Sequence, residues 1–373
     1  MTTHTTVTPY QLASADARTA LTVYQLKFIE AMGSYQSAPF YELGAKDTSS
    51  ALLTKYPIAV GDPIFEKVVG GSPSYKSLGE FFLSFSTDVF GAGVFDKAAR
   101  LRTAEWARQN WGMQPRKHAA ALPLAYERTI AAALMAGETT VSIENLNGAT
   151  TIKFFSTSHP CDPFGTNTFT YPNLFTGGSA IAVAGVSDAY PGALPFSQAS
   201  IKTVRQLLRM QRGQNGTDYR NQDLTHVLCG PDLEEDANTA FNDDKIILET
   251  GSGATKTSVE RANPNKKYKP VKVVVSPYLT ELGVWYPVSS DIIGELPWIS
   301  LTKVPADSGR VAGMPGPAMI GADGLEWTID DENSEMYKHG NKVAPKGSVA
   351  IACQVELGAA LTTPWTIYRC KPT

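Results

Sequence analysis

Phe154-Phe155-Ser156-Thr157-Ser158-His159-Pro160 opens the stretch that decides how this chain folds, and Leu224-Thr225-His226-Val227-Leu228-Cys229-Gly230-Pro231-Asp232-Leu233-Glu234 lies near its end. The first run reads as an aromatic strand ending in a polar turn. After a loop around Asn173-Leu174, residues 200–212 predict an amphipathic helix with Ile201, Val204, Leu207 and Leu208 inward and Gly213 as its stop. Lys202, Arg205, Arg209 and Arg212 line another face of that helix. The second run predicts a strand over 224–229 and then a helix. Pro231 suits its first turn, Asp232, Glu234 and Glu235 favour its positive end, and Leu233, Ala237, Ala240 and Phe241 make its buried stripe. Val271 to Val275, after the turn Asn263-Pro264-Asn265-Lys266-Lys267, reads as a largely buried strand. A strand, helix and strand of this kind belong to a compact α/β unit.

Outward toward the N-terminus, residues 139–155 alternate as a hairpin centred on Asn147-Gly148. From Val94 to Met135 the composition turns helical, with Ala-rich segments over 97–110 and 116–135 separated by Gly112 and Pro115. Pro123 inside the second segment predicts either a kink or the true helix start. Ile64-Phe65-Glu66-Lys67-Val68-Val69 and Phe81-Phe82-Leu83-Ser84-Phe85-Ser86 flank the breaker Gly70-Gly71-Ser72-Pro73, the pattern of a long hairpin or of a meander in a β-rich domain. Earlier still, Ser14 or Asp16 caps a helix with Leu21, Tyr24, Phe28 and Met32 on one stripe and Gly33 as its end. At the other end of the chain, residues 348–356 alternate as a strand and 364–369 add another.

Composition narrows the function. The 373 residues suffice for two to three units at about 150 residues per domain. Charged residues are 18% of the chain, against roughly 25% in an average globular protein, so the surface leans on Ser, Thr, Asn and Gly. Such a surface suits extensive subunit contact, because charges are costly to desolvate, and suits a long-looped secreted protein as well. A net charge of -3 provides no strong attraction for nucleic acid, which disfavours a dedicated DNA-binding protein. Cys161, Cys229, Cys353 and Cys370 are too scattered for a disulfide scaffold and read as reduced, packed thiols. Met1 to Thr6 lacks the basic start and apolar core of a signal peptide, and residues 119–135 are interrupted by Pro123, Glu127 and Arg128. The chain is expected to fold in the cytoplasm.

Catalytic and ligand motifs are sparse. His159 and Cys161 lie two apart without a second pair to complete a zinc site. Ser158 and His159 are sequence neighbours on a turn, a poor arrangement for a nucleophile and its base. There is no nucleophile elbow, Walker loop or dinucleotide fingerprint, and Gly251-Ser252-Gly253 reads as a flexible loop. Asp330, Asp331, Glu332, Asn333 and Glu335 lack the glycine turn and final Glu of an EF-hand, and read as a solvated acidic loop. No catalytic residue, metal or cofactor is expected. The six Trp residues show no stacking platform and read as core or interface anchors. The basic helix face is open to three readings: solvated, salt-bridged to a neighbouring subunit, or in contact with nucleic-acid phosphates.

The order Phe-Phe-x-x-x-His-Pro, loop, amphipathic helix, then strand-Pro-x-Leu-Glu-helix resembles the major head subunit of Mu-like tailed phages, whose members adopt the Hong Kong 97-type capsid fold. The specific likeness covers about residues 154–241. It implies an α+β chain with an N-terminal arm and helix over 1–55, an extended hairpin loop over 56–93, and a peripheral domain with a long spine helix over 94–212. An axial domain over 213–296 and a return to the sheet over 297–373 complete the expected division. It further implies a major capsid protein whose pentamers and hexamers tile an icosahedral shell around double-stranded DNA. Expected partners are further copies of the chain, portal, scaffold and decoration proteins, and non-specific contact with packaged DNA, with no membrane. Inter-subunit or lumen-facing contacts are expected at Lys67, Gly70, Gly71 and Lys76 in the hairpin and at Lys202, Arg205, Arg209 and Arg212 in the helix. Cross-linking between Lys and Asn side chains, as in the fold's type member, would draw on Lys67 or Lys76, with no partner Asn or catalytic Glu identified in the sequence. Because folded pattern begins within the first twenty residues, scaffolding is expected from a separate protein. Two rival readings are an encapsulin-type nanocompartment shell and a soluble hydrolase using His159, His226 or His339.

Overall fold

A computed structural model describes residues 28, 40, 43–49, 54–60, 79–85, 88–97, 114–145, 148–161, 169–178, 180–181, 190–213, 219–250, 257–290, 296–303, 325–330 and 348–372. It mixes helices with sheets. The central sheet is built from β9 (Leu174–Phe175), β10 (His226–Cys229), β13 (Lys272–Val275), β14 (Trp285–Val288) and β18 (Arg369–Cys370). Their spatial order is β13-β10-β14-β18-β9. β10 and β13 are parallel, β14 runs against both β10 and β18, and β18 is parallel to β9.

Successive residues of a strand face opposite sides, and here both sides are covered. Val227 and Cys229 of β10 and Trp285 of β14 join a core with helix α2 (Gln198–Met210) and helix α3 (Glu234–Phe241). Leu228, Val274, Tyr286 and Val288 face the other way, onto Ile130, Ala131 and Leu134 of helix α1 (Gln114–Met135) and onto Phe154 and Phe155. The sheet is thus the middle of three layers. That explains why β10 and β13 read as continuous apolar runs. The parallel connection requires a crossover, and it carries a 3-10 turn (Pro231–Leu233), α3, the hairpin of β11 (Lys245–Thr250) with β12 (Thr257–Ala262), and a second 3-10 turn (Pro264–Lys267).

A second sheet gathers on β17 (Ser348–Leu361). Its first ten residues pair along β4 (Asp88–Lys97), while its other edge pairs first with β16 (Leu325–Asp330) and then with β15 (Trp298–Lys303). β1 (Ala45–Ser49) adds parallel to β15. Helix α1 lies along β17: Ala119 packs with Val355 and Leu357, and Ile130 and Leu134 share a core with Leu361. A third sheet runs β2 (Thr54–Val60), β3 (Gly79–Phe85), β5 (Thr140–Asn145) and β6 (Gly148–Lys153), and β7 (His159–Pro160) pairs with β8 (Thr170–Tyr171).

Several sequence expectations shift. The hairpin before α1 pairs β3 with Thr54–Val60, from Thr54 opposite Phe85 to Val60 opposite Gly79. The predicted first strand over 64–69 lies outside the described residues. Val94 to Lys97, read as the start of a helical region, instead belong to β4, where pairing with β17 overrides local composition. The other predicted helical residues over 98–110 lie outside the described residues. Helix α1 starts at Gln114 and continues through Pro123, so the proline sits within the helix. Phe28 is helical and buried, whereas the rest of the predicted N-terminal stripe lies outside the described residues.

The expected aromatic strand at Phe154-Phe155 is a bend. The β5–β6 ladder ends at Thr140 opposite Lys153, and the next amides turn elsewhere: Phe155 N–H donates to the Gly137 carbonyl at 2.8 Å. The hairpin itself closes from Asn145 to Gly148, whose φ of 137° favours glycine. Helix α2 starts from Ser197, whose Oγ accepts from Ser200 N–H at 3.1 Å, and ends at Met210, so Gly213 is not its stop. Instead of a strand over 364–369, the chain turns at Thr363, with Thr366 N–H bonded to its carbonyl, and only Arg369–Cys370 forms the strand.

Candidate inter-subunit surface and its internal ties

Of the expected hairpin contacts, Lys67, Gly70, Gly71 and Lys76 lie between β2 and β3, outside the described residues. The expected basic residues do not form one uniform stripe: Lys202, Arg205 and Arg209 lie on α2, whereas Arg212 falls beyond its end. Lys202 and Arg209 are exposed, Arg212 is half-buried, and Arg205 is 5% exposed. A side chain one turn from the exposed Lys202 is carried inward because Tyr268 covers it, with the Arg205 guanidinium 4.4 Å from the ring centroid. Desolvation lowers the Arg205 pKa, opposed by the nearby charge of Asp223. Arg209 forks onto Asp223 Oδ1 through Nε at 3.1 Å and Nη2 at 2.8 Å, which raises its own pKa. Arg212 lies over the rings of Phe169 and Tyr219 at 5.0 and 5.4 Å. This face is therefore a mixture of free charge, internal ion pair and cation–π contact.

Two buried polar ties hold the sheet behind this surface. Asn173 Nδ2 donates to the carbonyls of Phe154 at 2.7 Å and Pro364 at 2.9 Å, while its Oδ1 accepts from Ser156 N–H at 2.8 Å. One amide thus joins three segments that the sequence separates widely. Arg369, 1% exposed, donates through Nη1 to the Met135 carbonyl at 3.0 Å and through Nη2 to Glu281 Oε1 at 2.6 Å. Glu138 lies 3.0 Å from Arg369 Nη1 and 2.6 Å from Lys371 Nζ. The C-terminal strand is thereby clamped to the end of α1. Sequence reading missed Arg369, Glu281, Tyr268 and Asp223, since partners up to 234 residues apart leave no local pattern. Asn173 was singled out only as a loop position, although a lone amide between Tyr171-Pro172 and Leu174-Phe175 is itself a signal of a buried polar role.

The histidines considered for chemistry have different settings. His159 is 1% exposed and stacks on Tyr171 with centroids 5.1 Å apart, its Nδ1 2.9 Å from the Pro160 carbonyl oxygen. Burial pulls its pKa down from 6.5 to about 4, against the smaller raising effect of that hydrogen bond. The geometry suits a neutral imidazole with its Nδ1–H bonded to Pro160. His226 Nδ1 lies 2.9 Å from Thr225 Oγ1, and desolvation and then Lys272 lower its pKa. His339 lies outside the described residues. No group of three or more His, Cys, Asp or Glu side chains is arranged to hold a metal among the described residues. Cys161, Cys229 and Cys370 are buried and form no disulfide among the described residues, and burial pushes the Cys229 thiol up to about 12. Among the described residues no helix is long and apolar enough to cross a membrane.

Comparison with known proteins gives this arrangement a family. No curated protein sequence matches the chain significantly. Similar solved structures include a procapsid of bacteriophage JBD30, 14% identical, covering 72% of this chain and 100% of that one at a TM-score of 0.49. The mature capsid of bacteriophage PhiM1 is 12% identical, covering 90% and 87% of the two chains at a TM-score of 0.41. A virus-like particle from Pyrococcus furiosus is 6% identical, covering 94% and 98% at a TM-score of 0.43. A family model described as phage capsid protein matches residues 105–345, well over half of the sequence, and the chain belongs to the phage capsid protein family.

Proposed function

We propose that this phage capsid protein is the major subunit of an icosahedral head, assembling as pentamers and hexamers around double-stranded DNA. The family match over residues 105–345 carries this reading. Within it, β2 and β3 belong to an extended hairpin that reaches across a neighbouring subunit, for which Lys67, Gly70, Gly71 and Lys76 are the proposed contacts. Helix α1 serves as the spine of a Hong Kong 97-type peripheral domain. The central sheet, with α2 and α3, forms the axial region, to which β9 and β18 return. The mechanism is assembly: modest contacts repeated by symmetry add up to a stable shell. Portal, scaffold and decoration proteins are the expected virion partners. Buried ties such as Asn173 and Arg369 suit a subunit that must transmit load between α1 and the central sheet without separating.

The test is expression of the chain alone and with its neighbouring viral genes, followed by electron microscopy and sedimentation velocity. Closed shells, tubes or capsomer rings are the expected products, and their contents distinguish packaged DNA from the protein cargo of a nanocompartment. A chain that stays monomeric in both preparations overturns the proposal.

A further inference from the structure

The two ends of one parallel strand pair differ in charge: the starting end mixes lysines and arginines with Asp223 and Asp244, and the finishing end is acidic. β10 and β13 run in register from His226 and Lys272 to Cys229 and Val275, about 13 Å for four residues. Toward their starting end α2 exposes Lys202 and Arg209, and the 3-10 turn Pro264–Lys267 exposes Lys266 and Lys267, with Arg209 paired to Asp223 and Lys266 Nζ 3.4 Å from Asp244 Oδ1. Gln198 Oε1 accepts from Asn265 Nδ2 at 2.8 Å, so that turn is tied to the first residue of α2. Beyond their finishing end, the first turn of α3 exposes Glu234, Glu235 and Asp236. Acidic residues are common where a helix begins, and this turn alone would indicate nothing.

Arg205 is the second observation. It is 5% exposed, yet none of its guanidinium nitrogens has a hydrogen-bond partner. Stacking on Tyr268 offsets only part of the cost of burying that charge. Asp223, the neighbouring carboxylate, is engaged by Arg209. A planar fork of donors thus lies within a basic face, covered by a tyrosine that is itself 45% exposed. An incoming carboxylate that displaces Tyr268 would satisfy it in the bidentate manner guanidinium favours.

We propose that the α3 acidic turn of a second copy of this chain docks on the Arg205 face, so that subunits join head to tail. This rests on the capsid reading and deepens it, since a heterologous contact repeated by rotation closes a ring, which pentamers and hexamers require. Genome phosphate is the other anion that fits the face. The acidic turn is preferred because the chain supplies both complementary surfaces, while its net charge of -3 gives no broad field toward DNA.

The test uses four variants, each checked for folding by circular dichroism and read by sedimentation velocity and electron microscopy beside wild type. Lys202→Glu/Lys267→Glu and Glu234→Lys/Glu235→Lys each place like charges at the contact, and each is expected to raise the concentration needed for assembly about tenfold or more. Mixing the two restores alternating, even-membered rings, and combining all four changes in one chain restores uniform rings. Arg205→Met is expected to leave subunit unfolding unweakened while impairing assembly, which a purely structural arginine would not do. Wild-type assembly with undisturbed assembly of both charge variants overturns the proposal and leaves the shell reading intact. Loss of packaged DNA from the lysine variant with rings unaffected assigns the face to genome contact and also overturns it. A wild type that never assembles overturns both.

Discussion

The side-chain amide of Asn173 donates to the backbone carbonyl of Phe154 across 2.7 Å, at the bend where the β5–β6 hairpin turns into the protein core. The same nitrogen reaches Pro364, and the Phe154 ring packs edge-on against Phe155 with centroids 5.0 Å apart. Asn173→Ala leaves two buried carbonyls and the Ser156 amide without this partner, an expected loss of about 2–4 kcal/mol. Asn173→Asp should be worse, because a carboxylate would face the two carbonyl oxygens. Denaturant unfolding of unassembled subunits checks the order, and an Asp variant as stable as wild type would contradict it.

Arg369 and Glu281 predict an asymmetric pair of effects. Arg369 is fully enclosed, so Arg369→Met removes its hydrogen bonds to Met135 and Glu281 and its ion pair with Glu138 together, costing about 3–5 kcal/mol. The Glu281 side chain keeps 37% exposure, so Glu281→Gln retains solvent and one hydrogen bond, costing about 1 kcal/mol. Arg369→Lys should fall between them, since an ammonium cannot reproduce the fork. Thermal melts of the three variants measure the ranking.

Gly137 has no room for a side chain. An added Cβ would lie 2.5 Å from Phe155 Cδ2 and 3.0 Å from Leu361 Cδ1, both packed side chains. Gly137→Ala is therefore expected to destabilise by about 1–3 kcal/mol through overpacking. Gly178, with open space around its Cβ position but a φ of 89°, should lose stability through backbone strain alone. Pairing Gly137→Ala with Phe155→Leu separates the two causes: relief at Gly137 and none at Gly178 is the expected result.

His159 makes subunit stability depend on pH. Its folded pKa of about 4 lies below the ordinary histidine value of 6.5, so the unfolded chain binds more protons between those limits. Its neutral-state contribution is full above pH 6.5 and is lost as pH falls toward 4. At about 1.4 kcal/mol per unit the loss approaches ~3 kcal/mol. His226 shifts in the same direction. His159→Phe keeps the stack on Tyr171 and should flatten the stability profile between pH 4 and 6.5; an unchanged slope would refute the assignment.

Local chemistry made some elements legible in the chain. The β5–β6 hairpin, the inward face of α2 and the Leu233, Ala237, Ala240 and Phe241 stripe of α3 all appear where short-range periodicity placed them. Each depends on side chains a few residues apart, so composition and spacing carry the signal. Val94 to Lys97 failed that reading because their pairing partner, β17, lies some 250 residues away. Phe154-Phe155 failed it because their backbone groups are claimed by Gly137 and Asn173 rather than by a strand.

The candidate surface divides in the same way. Sequence by itself determined that α2 carries a basic face and α3 an acidic start, because the first follows from 3.6-residue spacing and the second from acidic residues clustered at a helix's positive end. Tertiary structure alone decided that Arg205 turns under Tyr268 while Lys202 stays in water, and that Arg209 is matched to Asp223. It alone also brought Arg369 to Glu281 and Met135. Spacing specifies which side of a helix a charge occupies. Whether that charge meets solvent, a ring or a carboxylate depends on segments packed from elsewhere in the chain, and those contacts exist only after the layers have closed.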